Sequence, residues 1–224
     1  MKIGALTTIA DLEKQNDNSV WCRVLNNVAE KFGSPNIRSV ATVGGNICAA
    51  SSSEDLIPVF LTLDANVKTI RRNGTREQPL RNFIVSKRKT ALSDGEILAE
   101  VSFLEPNARA ACSFQKLGMR NILIIAVVSV AAFLETDATN STIASARIAL
   151  NRLRGKVPER AENVEKELVD QKLDKSNIDR AAEVLGDDLL LTSDFRASAK
   201  YRSEAVKVLL RRALVECQQA TLKK

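Results

Sequence analysis

One long apolar run limits the folds open to this chain of 224 residues. Residues 122–134 contain 13 consecutive positions of which all but one are apolar, and Arg120 and Glu135 flank the run. A helix that crosses a membrane needs about 20 apolar residues, so the run predicts a buried strand or helix and no membrane span. A second segment, rich in Ile and Ala, follows at residues 142–150. With a polar connection between them, the two segments predict an antiparallel meander.

The remaining pattern predicts an α+β protein built from two units. Glu105-Pro106-Asn107 is the predicted boundary, which gives residues 1–105 and 106–224. In the first unit we predict strands at 2–6, 37–42 and 96–103, helices at 20–32 and 55–63, and a hairpin whose turn contains Asn73-Gly74. Alternation in the last of these strands places Ile97, Ala99, Val101 and Phe103 on one face. In the second unit we predict a strand at 111–116 before the meander, and then helices that begin near Pro158 and at 177–185 and 202–217.

Composition excludes several kinds of chemistry. The chain has no histidine, which rules out Ser-His-Asp catalysis, Cys-His catalysis and zinc sites with imidazole ligands within it. Its four cysteines form no CxxC pair, so we predict neither an iron–sulfur cluster nor a four-cysteine zinc site, and we interpret them as small buried hydrophobic residues.

Charge and the N-terminal residues bear on partners and location. The net charge of +6 is interrupted throughout by acidic residues, and one Trp and one Tyr give little surface for base stacking. We therefore do not expect nucleic-acid binding, although a basic nucleic-acid module remains the weaker alternative. The first residues lack the apolar core of a signal peptide, so we expect a cytoplasmic protein.

The segment around Gly44-Gly45 is the sharpest local feature. Two glycines after a predicted strand allow close approach to a ligand, and the backbone N–H groups of such a loop can face an anion. Thr42, Asn46 and Ser51 add hydroxyl and amide groups, and Asp55 offers a carboxylate to a ribose. The segment matches neither GxGxxG nor a phosphate loop. From these residues alone, a nucleotide-binding loop and an ordinary tight turn both remain open.

Four ordered motifs together resemble a known family. They are residues 37–46 with 50–51, 55–56 and Pro58; residues 87–90 with 96–98; residues 114–120 leading into 125–126; and residues 193–202. In this order they are similar to the FAD-binding subunits of molybdenum-containing hydroxylases of the xanthine dehydrogenase and carbon monoxide dehydrogenase type. The resemblance extends over nearly the whole chain. It implies the second half of a vanillyl-alcohol-oxidase-type FAD-binding domain, followed by a domain in which helices pack on a small antiparallel sheet.

The resemblance also implies a cofactor site and its residues. Ala41, Thr42, Val43, Gly44, Gly45 and Asn46 would line the FAD pyrophosphate and flavin edge, with Ser51 nearby. Asp55 would hold the ribose or adenine side, Leu98 and Lys116 would lie near the isoalloxazine or adenine, and Ile125 would lie against the flavin ring. The alternatives are core packing for Leu98 and Ile125, and a solvated surface position for Lys116. Arg196 and Arg202 are expected to be structural.

An electron-transfer function follows from the same resemblance. The chain would be an oxidoreductase subunit that passes electrons from a [2Fe-2S] partner subunit through FAD to an external acceptor, for which NAD is one candidate. A molybdopterin-binding large subunit would oxidise the substrate, so no catalytic residue and no metal site are expected in this chain. Family members begin with a further glycine-rich segment that this sequence does not match. A flavin-free structural subunit of the same kind of complex is therefore the alternative.

Overall fold

The first half of the chain combines short helices with antiparallel strands. The computed structural model describes residues 1–120, 125–139, 142–151, 157–187 and 191–222. In chain order, the elements up to residue 105 are β1 (Lys2–Gly4), α1 (Ile9–Glu13), α2 (Val20–Glu30), α3 (Pro35–Arg38), α4 (Val43–Ala49), α5 (Leu56–Thr62), β2 (Asn66–Arg71), β3 (Gly74–Pro79), α6 (Leu80–Phe83), β4 (Ile84–Ser86), β5 (Lys89–Thr90) and β6 (Ile97–Ser102).

Four of these strands form the first sheet, in the order β1-β6-β2-β3 with every pair antiparallel. The predicted hairpin is confirmed, because β2 and β3 pair from Asn66 with Pro79 to Arg71 with Gly74. Gly74 has a φ of 145°, a value that residues with a Cβ rarely adopt. The predicted helices at 20–32 and 55–63 are confirmed as α2 and α5. The hydroxyl of Ser19 caps α2 by accepting from the N–H of Cys22.

A β-bulge in β6 makes the prediction that Ile97 and Val101 share one face of the strand wrong. Glu100 pairs with Lys68 and Leu98 pairs with Thr69, so Ala99 has no partner of its own. The extra residue shifts the alternation by one position. Ile97 is consequently 65% exposed, whereas Leu98, which was predicted to lie on the opposite face, is buried together with Val101.

Glu96, just before β6, ties this sheet to the preceding loop. Its carboxylate accepts hydrogen bonds from the hydroxyl of Thr69, from the Ser93 N–H at 2.8 Å and from the Arg76 guanidinium at 2.8 Å. These bonds, the one from Thr69 first, lower the pKa of Glu96 to about 2. The ionised form is therefore the one that the folded chain stabilises.

Lowering the pH should remove the stability that the ionised Glu96 carboxylate provides. Because the pKa is depressed on folding, the stabilisation is present above the ordinary pKa of 4.5 and is lost as the pH falls toward 2. We expect Glu96→Gln to unfold in less urea than the native chain at pH 7, and the difference to shrink as the pH is lowered from 5 to 2. Glu77→Gln on β3, where the side chain is exposed, is the control. If the difference in urea midpoint between the native chain and Glu96→Gln stays constant with pH, the ionised Glu96 carboxylate is not the source of this stability.

The second half forms an antiparallel sheet covered by helices. Its described elements are β7 (Ala110–Leu117), β8 (Val128–Thr136), β9 (Ile143–Leu150), β10 (Glu159–Arg160), α7 (Glu162–Leu168), α8 (Lys175–Asp187) and α9 (Ala199–Leu222). The strand order is β10-β9-β8-β7, which confirms the predicted meander and the strand at 111–116. Part of the long apolar run forms β8, and residues 122–124 lie outside the described residues.

The two faces of the second sheet have different neighbours. On one face, Phe114, Ala131 and Phe133 pack into the core of the first half. On the other face, Val130, Ala132 and Leu134 pack with α7, α8 and α9. Because β8 is buried on both faces, most of its residues are apolar and they do not alternate with polar ones. The predicted inward face of α9 is confirmed, with all its residues buried: Val206, Leu209, Leu210, Ala213 and Leu214.

Two predicted elements are wrong. Residues 37–42 form no strand, because Ser34 and Pro35 start the short helix α3, and the Ser34 hydroxyl accepts from the Ile37 N–H at 3.2 Å. Pro158 does not begin a helix. It precedes β10, and α7 starts only at Glu162. β-branched residues occur outside strands, which explains the error at residues 37–42. Proline occurs outside the first turn of a helix, which explains the error at Pro158.

An ion-pair network joins the two halves beside α5. Asp64 accepts from Arg147 on β9 at 2.7 Å and from Arg160 on β10 at 2.6 Å. Arg160 also pairs with Glu165 of α7 at 2.7 Å, and Glu165 accepts from the Ile148 N–H at 2.8 Å. One carboxylate of the first half therefore holds two cations of the second.

We expect Asp64→Asn to lower the free energy of unfolding by about 1 kcal/mol, since Asp64 is half exposed and exposed ion pairs are weak. Asparagine retains the size of the side chain and tolerates the left-handed backbone, where φ is 48°. Asp170→Asn is a matched control, because Asp170 also has a positive φ (62°) and no ion pair is described for it. Equal urea midpoints for the two variants would show that the ion-pair network adds nothing to the free energy of unfolding.

Candidate functional site

The Gly44-Gly45 pair lies in the first turn of a helix and not in a loop, which corrects the prediction of a strand followed by a glycine turn. Thr42 is the N-cap of α4, and its hydroxyl accepts from the Gly45 N–H at 3.0 Å. The turn between β1 and α1 fixes the helix from the other side. Thr7 accepts from the Val43 N–H at 2.9 Å, and Ala5 accepts from the Gly44 N–H at 2.8 Å.

Gly44 and Gly45 have different roles in this helix. A Cβ on Gly44 would lie 2.7 Å from the Ala5 Cβ and 2.9 Å from the Ala5 carbonyl oxygen, so only glycine allows α4 to pack this closely on Ala5. Gly45 is exposed, and a Cβ there would meet only the Thr42 hydroxyl, at 3.0 Å. The surface that a ligand could approach is therefore at Gly45 and the half-buried residues Ala41 and Thr42.

The backbone donors of this turn are occupied within the protein. The N–H groups of Val43, Gly44 and Gly45 bond as described above, and the Asn46 N–H donates to the Thr42 carbonyl at 3.0 Å. The prediction that these N–H groups face an anion is wrong for this arrangement.

Asn46 connects α4 to α5. Its side chain is buried, its Oδ1 accepts from the Leu56 N–H at 3.3 Å, and its Nδ2 donates to the carboxylate of Glu54. The amide therefore satisfies the first N–H group of α5, a helix whose N-cap makes no side-chain bond of its own. Ser51 lies in the intervening loop, where its hydroxyl is 3.1 Å from that of Ser53.

A buried ion pair lies at the start of α5. The Lys116 ammonium on β7 is 2.5 Å from the Asp55 carboxylate, and their side chains are 1% and 7% exposed. Lys116 also donates to the Lys31 carbonyl at 3.1 Å. The alternative of a solvated surface lysine is therefore wrong. The pair brings Asp55 and Lys116 together from opposite halves of the chain.

Glu54 and Lys31 extend this cluster. Burial, and then the negative charge of Asp55, raise the pKa of Glu54 to about 7. Lys31 at the end of α2 donates to the Phe114 carbonyl at 3.1 Å and to Asn27, and burial lowers its pKa. Neither residue is among those that the sequence predicts for the site. The adjacency of Glu54 to Asp55 was an available indication, whereas Lys31 reaches the site only through the packing of α2 on β7.

The remaining predicted residues occupy two different environments. Leu98 is buried in the core, where β6 contacts α4, so the core-packing alternative describes its position. Ile125 is 54% exposed, which excludes core packing for it. Arg196 and Arg202 are structural as predicted, because both pair with Asp194, at 3.0 and 2.5 Å. These pairs and their hydrogen bonds hold the pKa of Asp194 well below its usual range, against the effect of its desolvation.

Within the described ranges, no helix is long and apolar enough to cross a membrane, and no cluster of acidic and cysteine side chains could hold a metal ion. Cys22 and Cys217 are buried, as predicted, and Cys48 and Cys112 are half-buried. Burial raises the pKa of the Cys48 and Cys217 thiols.

Comparison with known proteins gives the class to which this fold and site belong. Residues 1–104 match the family model for the FAD binding domain in molybdopterin dehydrogenase. Residues 114–217 match the model for the CO dehydrogenase flavoprotein C-terminal domain. The two models follow each other in this order along the chain.

Individual relatives agree with these models. The chain is 31% identical to the nicotinate dehydrogenase FAD-subunit of Eubacterium barkeri, over 96% of this chain and 73% of that one. It is 27% identical to the carbon monoxide dehydrogenase medium chain of Afipia carboxidovorans, over 95% of this chain and 72% of that one. Its structure superposes on reconstituted CO dehydrogenase from Oligotropha carboxidovorans with a TM-score of 0.89 and 26% identity, covering 98% of this chain and 75% of the other.

The chain belongs to the family of FAD-binding medium subunits of molybdenum hydroxylases. This confirms the predicted fold class, the oxidoreductase class and FAD as the cofactor. The residues that contact the cofactor and the domain boundary at Glu105 stay predictions.

Proposed function

We propose that this chain holds FAD on the surface formed by the start of α4, the start of α5 and the end of β7, and that it serves as an electron-transfer subunit. The Asp55–Lys116 pair is the observation that carries the proposal. It places a buried cation and a buried carboxylate at 2.5 Å at the start of α5, whose first N–H group bonds to Asn46 of α4. Buried ion pairs contribute little net stability compared with apolar packing, and we propose that this one is kept for its role in the site.

The residues present fit a flavin nucleotide in a specific way. Ala41, Thr42 and Gly45 would hold the pyrophosphate side by close contact, because Gly45 has no side chain to block approach. Lys116 and Asp55 would set the local charge, with Ser51 at the margin and Ile125 against the flavin ring. FAD supplies the redox chemistry, while the protein supplies binding, orientation and electrostatics.

The partners follow from the same proposal. The relatives are named as an FAD-subunit and a medium chain. We propose that this chain assembles with a molybdopterin-binding large subunit and a [2Fe-2S] small subunit. Electrons would pass from the iron–sulfur centres through FAD to an external acceptor, for which NAD is a candidate. The cytoplasmic location stays a prediction.

One observation favours a second candidate, a flavin-free structural subunit. The N–H groups at the start of α4 donate to protein oxygens and are not free for a pyrophosphate. In this alternative, the same contacts would keep α4 packed on β1 with no cofactor.

A binding titration separates the two candidates. FAD is added to the purified chain, flavin fluorescence is followed, and riboflavin, which lacks the nucleotide half, is titrated in parallel. We expect saturable binding of FAD and much weaker binding of riboflavin. Absence of saturable binding by both, in a chain that still assembles with its partner subunits, would overturn the flavin proposal in favour of the structural subunit.

A further inference from the structure

Glu54 occupies a position that the electron-transfer function does not explain. It directly precedes Asp55, it is half-buried, and its carboxylate accepts a hydrogen bond from Asn46 Nδ2. The other end of the Asn46 amide holds the first N–H group of α5. Glu54 therefore contacts the residue that joins the two helices of the proposed flavin surface.

Charged groups lie close to Glu54. Asp55 follows it directly in the chain, and the Lys116 ammonium, 2.5 Å from the Asp55 carboxylate, acts on the charge of Glu54 as well. Lys31 lies behind Lys116 and directs its own ammonium to Asn27 and the Phe114 carbonyl. When Asp55 is ionised and paired, a second ionised carboxylate is repelled by Asp55 and loses hydration through burial.

We propose that Glu54 is a proton-linked positioning residue of the flavin site, which sets the charge beside the Asp55–Lys116 pair and holds Asn46 in place. This inference rests on the proposed function, since it concerns the affinity of the surface for FAD. Glu54 acts through Asn46, Asp55 and Lys116 and not by reaction with the cofactor.

The direction of the effect follows from the charge. Below neutral pH, Glu54 is protonated and neutral, and Lys116 balances Asp55 alone. Above neutral pH, Glu54 carries a second negative charge near the surface where the FAD pyrophosphate, itself an anion, would bind. Burial and the Asp55 charge raise the pKa of Glu54 to about 7, so Glu54 changes from neutral to charged between pH 6 and pH 8. Deprotonation should therefore weaken FAD binding.

The test is the dissociation constant for FAD between pH 6 and pH 8, measured by flavin fluorescence on the native chain and on Glu54→Gln. We expect the native chain to bind FAD about three- to ten-fold more weakly at pH 8 than at pH 6. Glu54→Gln carries no charge at either pH, so its affinity should stay nearly constant and should match the native value at pH 6. Glu105→Gln, a change of the same kind at an exposed residue, should retain the native profile.

Several outcomes would overturn the proposal. One is a native affinity that does not change with pH; another is the same pH dependence in Glu54→Gln as in the native chain. Both leave FAD binding itself intact. Failure of native chain and variant to bind FAD at any pH would remove the proposed function and this role together.

A second measurement needs no flavin. Because the pKa of Glu54 is raised on folding, native stability should fall as the pH rises from 4.5 to about 7, and Glu54→Gln should lack this fall. Identical curves of urea midpoint against pH would show that Glu54 does not take up a proton on folding, and this too would overturn the proposal. If Glu54→Gln does not fold, Glu54→Ala provides the neutral side chain for both measurements.

Discussion

We expect Lys116→Met to lower the free energy of unfolding by about 3–5 kcal/mol, because it leaves the Asp55 carboxylate buried without its cation. Methionine retains much of the length of the lysine chain, so the loss is mainly electrostatic. The Lys31 carbonyl also loses the donor 3.1 Å away. Urea unfolding at pH 7 measures the effect, and the variant should no longer retain FAD through gel filtration.

The double variant Asp55→Asn with Lys116→Met is the control for this prediction. It removes both charges, so it should recover a large part of the lost stability while still failing to retain FAD. A double variant as unstable as Lys116→Met alone would show that packing, and not the unpaired charge, accounts for the loss. Native-like retention of FAD by either variant would contradict the role of the pair in the site.

We expect Gly44→Ala to lower the free energy of unfolding by about 3 kcal/mol, because the new Cβ would lie 2.9 Å from the Ala5 carbonyl oxygen and 3.2 Å from the Ala5 Cα. These are backbone atoms, which cannot move aside as a flexible side chain can. The helix must shift, and the 2.8 Å hydrogen bond from Gly44 to Ala5 lengthens with it. Loss of secondary structure on heating, followed by circular dichroism, measures the change.

Gly45→Ala is the matched control, one residue further along the same helix. Gly45 is exposed and its Cβ would meet only the Thr42 hydroxyl. Alanine is favoured over glycine inside a helix by about 1 kcal/mol, which offsets the contact. We expect a stability close to that of the native chain. Equal destabilisation by Gly44→Ala and Gly45→Ala would indicate that close packing on Ala5 is not what selects glycine at position 44.

Local periodicity was sufficient to predict much of the fold. The 3.6-residue spacing in α2 and α9 predicted their buried faces, since amphipathic helices carry this pattern in their own sequence. The apolar run that becomes β8 predicted a buried element, because a strand covered on both faces needs apolar residues throughout. Asn73-Gly74 predicted the hairpin through its local turn chemistry.

Long-range contacts account for what the sequence did not predict. Gly44-Gly45 is a common turn pattern, and only the approach of Ala5 makes it the first turn of a helix. The bulge at Ala99 depends on the pairing of β6 with β2, which alternation within β6 does not reveal. Similarly, the ion pair of Asp55 joins residues 61 positions apart, so spacing could not predict it. The family resemblance placed both residues in one site, but it did not indicate that they bond to each other.

The central claim is that this chain holds FAD at the α4–α5–β7 surface. Its most direct test is the visible absorption spectrum of the purified chain after addition of FAD and gel filtration. We predict that the flavin band elutes with the native chain, and that it is lost from the protein fraction of Lys116→Met. A flavin band that remains with the small molecules for the folded native chain, even after excess FAD, would contradict the claim.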